Sequence, residues 1–244
     1  MLKNGPRSSA SSGECISSRF MTPRLVQRLD FLDEICADKR VLHLGCADSP
    51  YTDEAIKSGT LLHARLSRTA SSVTGLDGDV EGLEKLRRAG FDDLVIGDLE
   101  KLEEADLAKD YDVIVAGEII EHLNNPGIFL NGVRSLMNPS TKLVVTTINA
   151  YCGMRSIYYS LTRGKGTHEP VNPDHVAYYS YSTLHLLLKR HALSVEDFLF
   201  YDIGTDHRKT TPWYLKVFND VSVTFSRQLA DGVIAVCTKE GEEV

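Results

Sequence analysis

Glu118, Glu121 and His122 stand within five residues of one another, directly after the apolar run Tyr111-Asp112-Val113-Ile114-Val115-Ala116. An imidazole with a reference pKa near ~6.5 beside carboxylates can move a proton near neutrality. Glu121 with His122 could also contribute to a divalent-cation site, but the spacing does not demand one and no metal is assigned. Further along, residues 149–182 hold His168, His175, Arg155, Arg163, Lys165 and six tyrosines. Tyrosine and histidine pair a stacking face with a hydrogen-bonding tip, which suits a sugar or a polar aromatic acceptor. Tyr151, His168, Tyr178 and Tyr179 are the expected acceptor contacts, against the alternative that these aromatics fill the segment's own core. Two more acids, Asp77 and Asp98, close short apolar stretches at Val73-Thr74-Gly75-Leu76-Asp77 and Val95-Ile96-Gly97-Asp98.

These residues need a scaffold that gathers strand ends, and the apolar pattern supplies one. Val41-Leu42-His43-Leu44-Gly45-Cys46-Ala47-Asp48 reads as a strand breaking into a small-residue turn. Such a turn lets the backbone approach a ligand closely, and an acid closing the next strand can hold a ribose diol. The pyrophosphate fingerprint G-x-G-x-x-G is missing, and Asp48 would repel phosphate, so a nucleoside without phosphates fits better. Helices are expected at residues 52–57, 61–71, 80–89 and 126–136, with strands at 93–97, 111–116, 142–148, 194–201 and 233–237. Another helix is expected to start at Thr22-Pro23, with Thr22 as N-cap, and run through Leu25, Val26, Leu29, Leu32 and Ile35. A further helix is expected from Ser182. Trp213 is read as anchoring the long connection before the last strand.

The order of strand, small turn, acid-terminated strand, Gly97-Asp98-Leu99 and Glu118-Ile119-Ile120-Glu121-His122 resembles the class I S-adenosylmethionine-dependent methyltransferases. The likeness covers about residues 40–199 plus a closing strand near Gly232. It is nearest to small-molecule O-methyltransferases of the ubiquinone-biosynthesis type and of bacterial glycan clusters. Asn172-Pro173-Asp174-His175-Val176-Ala177-Tyr178-Tyr179-Ser180 is similar to a segment of the latter. The resemblance implies an α/β fold: a seven-stranded, mostly parallel Rossmann-like sheet with an antiparallel last strand, helices on both faces, and a lid after strand five. It implies S-adenosyl-L-methionine as cofactor, held by Gly45, Cys46, Ala47, Asp77, Gly78, Asp98, Leu99 and Glu118. Asp77 would take the ribose hydroxyls, Asp98 the adenine amino group and Glu118 the methionine portion. His43 stands where the family usually has an acid, and an imidazole there could bond the turn or the cofactor carboxylate. His175 is the favoured base, with His122 orienting the ligands or taking the base role itself. The expected activity is methyl transfer to a hydroxyl of a sugar, glycan precursor or secondary metabolite. The alternative is a relative that binds the cofactor without turning it over.

Composition narrows the remaining classes. The 244 residues carry a net charge of −7 and no long basic block, which disfavours nucleic acid as a partner. Five scattered cysteines form no CxxC pair, so neither a disulfide framework nor a zinc site is expected. No apolar run approaches the ~20 residues that cross a bilayer, and a cytoplasmic protein is expected. Residues 1–18 are small and polar and read as a disordered leader, leaving 19–244 as one domain with its lid at about 149–182.

Overall fold

Alternation within single strands sets the layers. In β5 (Val113–Gly117), Val113 and Val115 pack into one apolar cluster while Ile114 and Ala116 pack into another on the opposite face. A strand buried on both faces must be covered on both, and helices do this here. The computed structural model describes residues 23–161, 174–204, 208 and 211–241. Its sheet also contains β1 (Leu25–Val26), β2 (Arg40–Leu44), β3 (Ser72–Asp77), β4 (Leu94–Ile96), β6 (Lys142–Ile148), β7 (Leu193–Tyr201) and β8 (Gly232–Lys239). The spatial order is β1-β7-β8-β6-β5-β2-β3-β4, with β8 antiparallel to both β6 and β7 and all other pairs parallel.

One face is covered by α1 (Arg28–Cys36) and α3 (Leu62–Thr69), through Leu32, Cys36 and Leu66. The other carries α5 (Pro126–Leu136) and α7 (Tyr181–Arg190). Phe129, Leu130, Val133 and Leu136 fall on one stripe of α5 at helical spacing and are buried. Each such side chain contributes about 1.5–3 kcal/mol by leaving water. A smaller cluster under the strand-two turn joins Cys46 to Ala55 of α2 (Thr52–Ser58) and to Leu83 and Leu86 of α4 (Val80–Arg88).

Three expectations change. Leu25–Val26 pairs with Phe200–Tyr201 as an edge strand, so α1 begins only at Arg28, behind Gln27, which makes no side-chain cap. The period-3.6 pattern was continuous through Leu25, but strand pairing with β7 captured that end; Thr22 lies outside the described residues. The sheet therefore has eight strands where seven were expected. Trp213 opens α8 (Trp213–Phe225) and is 75% exposed, so it anchors nothing in the described structure. The break near Gly59, by contrast, is where the sequence put it, with Gly59 in the left-handed region as the cap of α2.

Candidate active site

The parallel order reverses between β2 and β5: the chain runs outward to β3 and β4 on one side and to β6 on the other. Open α/β sheets bind ligands outside the carboxyl ends of the strands at such a switch point. Gly45 leaves β2 with φ +71, a conformation that favours glycine, and a Cβ there would stand 2.8 Å from Ile119 Cδ1, which would have to give way. Asp77 at the end of β3 accepts the Ala47 N–H at 2.9 Å and the Asp79 N–H at 2.9 Å. These bonds orient its carboxylate under the turn and leave each oxygen a second lone pair for a diol. Gly78 lies beside it in the open, where a Cβ would meet nothing closer than Gly97 O at 3.6 Å. The turn, the oriented acid and the open glycine fit the ribose and methionine portions of S-adenosylmethionine.

Asp98 and Leu99 follow β4, with Asp98 exposed and Leu99 half-buried. Asp98 also caps the short 3-10 helix Leu99–Glu104, accepting the Glu100 N–H at 2.8 Å, so one of its oxygens is engaged locally. Cys46 and Ala47 are buried in the turn. Burial, then the Asp77 carboxylate, push the Cys46 thiol up to about 12, which keeps it protonated and unreactive. His43 is also buried, and its Nδ1 lies 3.3 Å from Nδ1 of buried His63. Burial, His63 and Arg28 lower its pKa well below the usual imidazole value, so it stands as a neutral ring below the turn. Its partner is a second histidine 20 residues on.

At the end of β5 the chain turns sharply, with Glu118 at φ 55. Its carboxylate accepts the Tyr201 hydroxyl at 2.6 Å and the Thr146 hydroxyl at 3.0 Å, and Arg28 lies 4.0 Å away. Glu118, Arg28, Tyr201 and Arg155 line a cleft of about 290 Å³. Arg28, Arg155 and Tyr201 were not singled out for this place, because nothing local marks them; α1, α6 (Gly153–Leu161) and β7 bring them in from distant sequence. Arg28 also lies over the Tyr201 ring, 5.9 Å from its centroid.

The turn carries Glu121 and His122 to the described end of the acceptor segment. The Val176 N–H donates to the Glu121 carbonyl at 2.8 Å and the Ala177 N–H at 3.2 Å, which seats His175 beside His122. Their rings meet edge to face with centroids 4.6 Å apart. Burial and His122 lower the His175 pKa, favouring a neutral ring. The Tyr178 ring lies 6.4 Å from that of His175. Of the expected acceptor tyrosines, Tyr178 meets His175, Tyr179 is buried in the main core within electrostatic reach of Glu121, and Tyr151 is 67% exposed; His168 lies outside the described residues. The helical part of the expected lid is docked: at Gly153 a Cβ would stand 2.5 Å from Ser222 Cβ of α8.

A family model described as a methyltransferase domain matches residues 18–197. The ubiquinone biosynthesis O-methyltransferase of Hahella chejuensis is 31% identical over 157 residues, 58% of this chain and 60% of that protein. The mitochondrial ubiquinone biosynthesis O-methyltransferase of Schizosaccharomyces pombe is 28% identical over 133 residues, 50% of this chain and 44% of that one. The matches thus span about half the length of these curated relatives. A SAM-dependent methyltransferase structure from Archaeoglobus fulgidus superposes with a TM-score of 0.54 at 16% identity, covering 86% of this chain and 90% of that one, which bears on fold alone. With the switch-point turn, the strand-end acid and a family match over most of its length, the chain belongs to the S-adenosylmethionine-dependent methyltransferases.

Proposed function

We propose that this chain transfers a methyl group from S-adenosylmethionine to a hydroxyl of a small acceptor, and that Glu118, His122, His175 and Tyr178 border the place of transfer. When bound, the cofactor supplies an electrophilic methyl on a positively charged sulfur. Asp77 holds the ribose, the Gly45 turn accommodates the methionine portion, and Arg28 takes its carboxylate. Transfer needs acceptor oxygen, methyl carbon and sulfur in line, so positioning is the main task of the protein. A hydroxyl with a high pKa must also give up its proton, and the polar groups of residues 118–122 and 175 are where that proton is handled. The observation that carries the reading is the Asp77 carboxylate, fixed by two backbone N–H groups beneath a glycine turn. The names of the relatives favour oxygen as the acceptor atom; a hydroxylated ring, a sugar and a glycan precursor all satisfy that chemistry.

Calorimetry with S-adenosylhomocysteine is the direct test. Asp77→Ala removes charge-assisted hydrogen bonds worth about 1.5–3 kcal/mol and should weaken binding roughly 10- to 100-fold. Tight NAD binding with no affinity for the adenosyl ligand would sink the reading. Labelled S-adenosylmethionine incubated with pooled metabolites then separates turnover from binding alone.

A further inference from the structure

The helix α8 is built inside out. A surface helix normally buries its apolar stripe and shows a polar face to water. Here Asn219 and Ser222 are buried, whereas Trp213, Val217, Val221 and Phe225 are 75%, 51%, 63% and 87% exposed. Those four residues are spaced four apart, so at ~100° per residue they fall within an arc of ~120° and form one ridge. Tyr214, 40% exposed, flanks them. Polar contacts hold the helix in this orientation. Asn219 Nδ2 donates to Asp202 Oδ1 at 2.9 Å, and the Arg208 guanidinium pairs with Asp220. Ser222 meets α6 so closely that a Cβ at Gly153 would stand 2.5 Å from its own Cβ, which leaves no room to turn the ridge inward.

We propose that this ridge is the interface of a homodimer, in which α8 of one chain packs antiparallel against α8 of a second copy about a two-fold axis. Such an interface is isologous: residue i meets residue j, and j meets i. The ridge has that symmetry in its own sequence. Trp213 and Phe225 are each six residues from Asn219, and Val217 and Val221 are each two residues from it. An antiparallel pair centred at the level of Asn219 sets Trp213 beside Phe225 of the second copy and Val217 beside its Val221, each contact occurring twice. Ridges of residues four apart pack side by side when the helices cross at about 50°.

Area and charge both favour a second copy as the occupant. At ~150–250 Å² per aromatic side chain and about half of that per valine, the five exposed residues offer roughly 500 Å² of apolar surface. A standard interface buries about 800 Å² per partner and is roughly 60% apolar, so α8 supplies nearly all of that apolar share. Lys216 and Asp220 lie on the same flank of the ridge, and the antiparallel pair brings Lys216 of one chain towards Asp220 of the other. A helix that lies on lipid instead carries Lys and Arg along its polar face. In α8 Lys216 stands against Asp220, and the chain's net charge of −7 opposes an anionic lipid surface.

The test uses the full chain without ligand. Sedimentation velocity should show a dimer with a Kd of about 10 µM or tighter. Val221→Glu puts a charge at the centre of the ridge and should weaken association at least ~10-fold, with an unchanged circular dichroism spectrum. Register is read by oxidative cross-linking in a Cys15→Ser background, where Cys36, Cys46, Cys152 and Cys237 are buried. Chains carrying Trp213→Cys and chains carrying Phe225→Cys should form a disulfide-linked dimer when mixed. Neither should do so alone, because like positions then stand ~18 Å apart along the axis at ~1.5 Å per residue. A chain that stays monomeric at about 100 µM overturns the proposal, as does an undiminished dimer in Val221→Glu. Cross-linking equally fast in either variant alone overturns the antiparallel register. Two further results would overturn the second copy as occupant. A chain without residues 1–22 that dimerises where the full chain does not would assign the ridge to the chain's own N-terminal segment. A monomer that floats with phosphatidylcholine vesicles would assign it to lipid.

Discussion

Glu118 shows how a single acid acquires its role from partners the local sequence does not reveal. Its place after an apolar strand marks it for the carboxyl end of the sheet, and it follows β5 directly. The groups that hold it come from far away: Tyr201 is 83 residues on and Thr146 is 28. Tyr201→Phe removes a 2.6 Å hydrogen bond between a buried hydroxyl and a carboxylate. Bonds to charged groups contribute about 1.5–3 kcal/mol, so urea unfolding of Tyr201→Phe should show a loss of that size. An unchanged midpoint would mean that Thr146 and Arg28 suffice to hold the acid. The setting of Asp77 is easier to read than that of Glu118 or Glu121, because its hydrogen bonds come from its own strand end and the turn above it. Glu121 looks in sequence like one more acid of a polar turn. Its burial follows from the reversal at Glu118, where a non-glycine residue takes positive φ, an uncommon state that no local signal announces.

At the level of elements, the turn above β2 rests on a buried pair of neutral rings, and this makes the cofactor half of the sheet sensitive to acid. Burial lowers the His63 pKa to about 4. The unfolded chain protonates that ring near ~6.5, so between these values the unfolded state binds the extra proton. The stability contribution is therefore present above pH ~6.5 and is lost as pH falls towards about 4. At ~1.36 kcal/mol per unit, the part lost between pH 6.5 and 5 is about 2 kcal/mol. His43 acts in the same direction. Denaturant midpoints across that interval should fall for the wild type and flatten for His63→Asn; equal slopes would assign the acid sensitivity elsewhere. A second element-level prediction concerns α6, which Arg155 ties to Asp231 through a 2.7 Å contact with side chains 18% and 20% exposed. Asp231→Ala leaves a largely buried guanidinium without this carboxylate and should cost about 3–5 kcal/mol. A cost below ~1 kcal/mol would mean that α6 is held mainly by its packing on α8. Element positions were largely legible because the β5, α5 and β6 apolar patterns are long and unambiguous. The start of α1 was not, since Leu25 and Val26 satisfy a helical stripe and an edge strand equally well, and only pairing with β7 decides.

Over the whole molecule, the proposed ligand site straddles the two halves of the sheet. The Gly45 turn and Asp77 belong to the β2-β3-β4 side, whereas Glu118 and its partner Tyr201 belong to the β5-β6-β8-β7 side. Among the described residues no helix is long and apolar enough to cross a membrane. A ligand that touches both halves in the native state and neither in the unfolded chain must stabilise the molecule as a unit. The gain is RT ln(1 + [L]/Kd), or ~2.7 kcal/mol at a hundredfold excess over Kd. A chain of this size shifts its melting temperature by roughly 2–4 °C per kcal/mol, so saturating S-adenosylhomocysteine should raise Tm by roughly 5–10 °C. The whole transition should move, since contacts on both sides of the switch point leave no half free to melt first. Asp77→Ala at the same ligand concentration should lose about half of the shift or more, because a 10- to 100-fold weaker Kd removes ~1.3–2.3 kcal/mol of linkage. Two resolved transitions, with only one moved by the ligand, would place the adenosyl group on one side of the sheet alone and contradict the assignment of Glu118 to its methionine end.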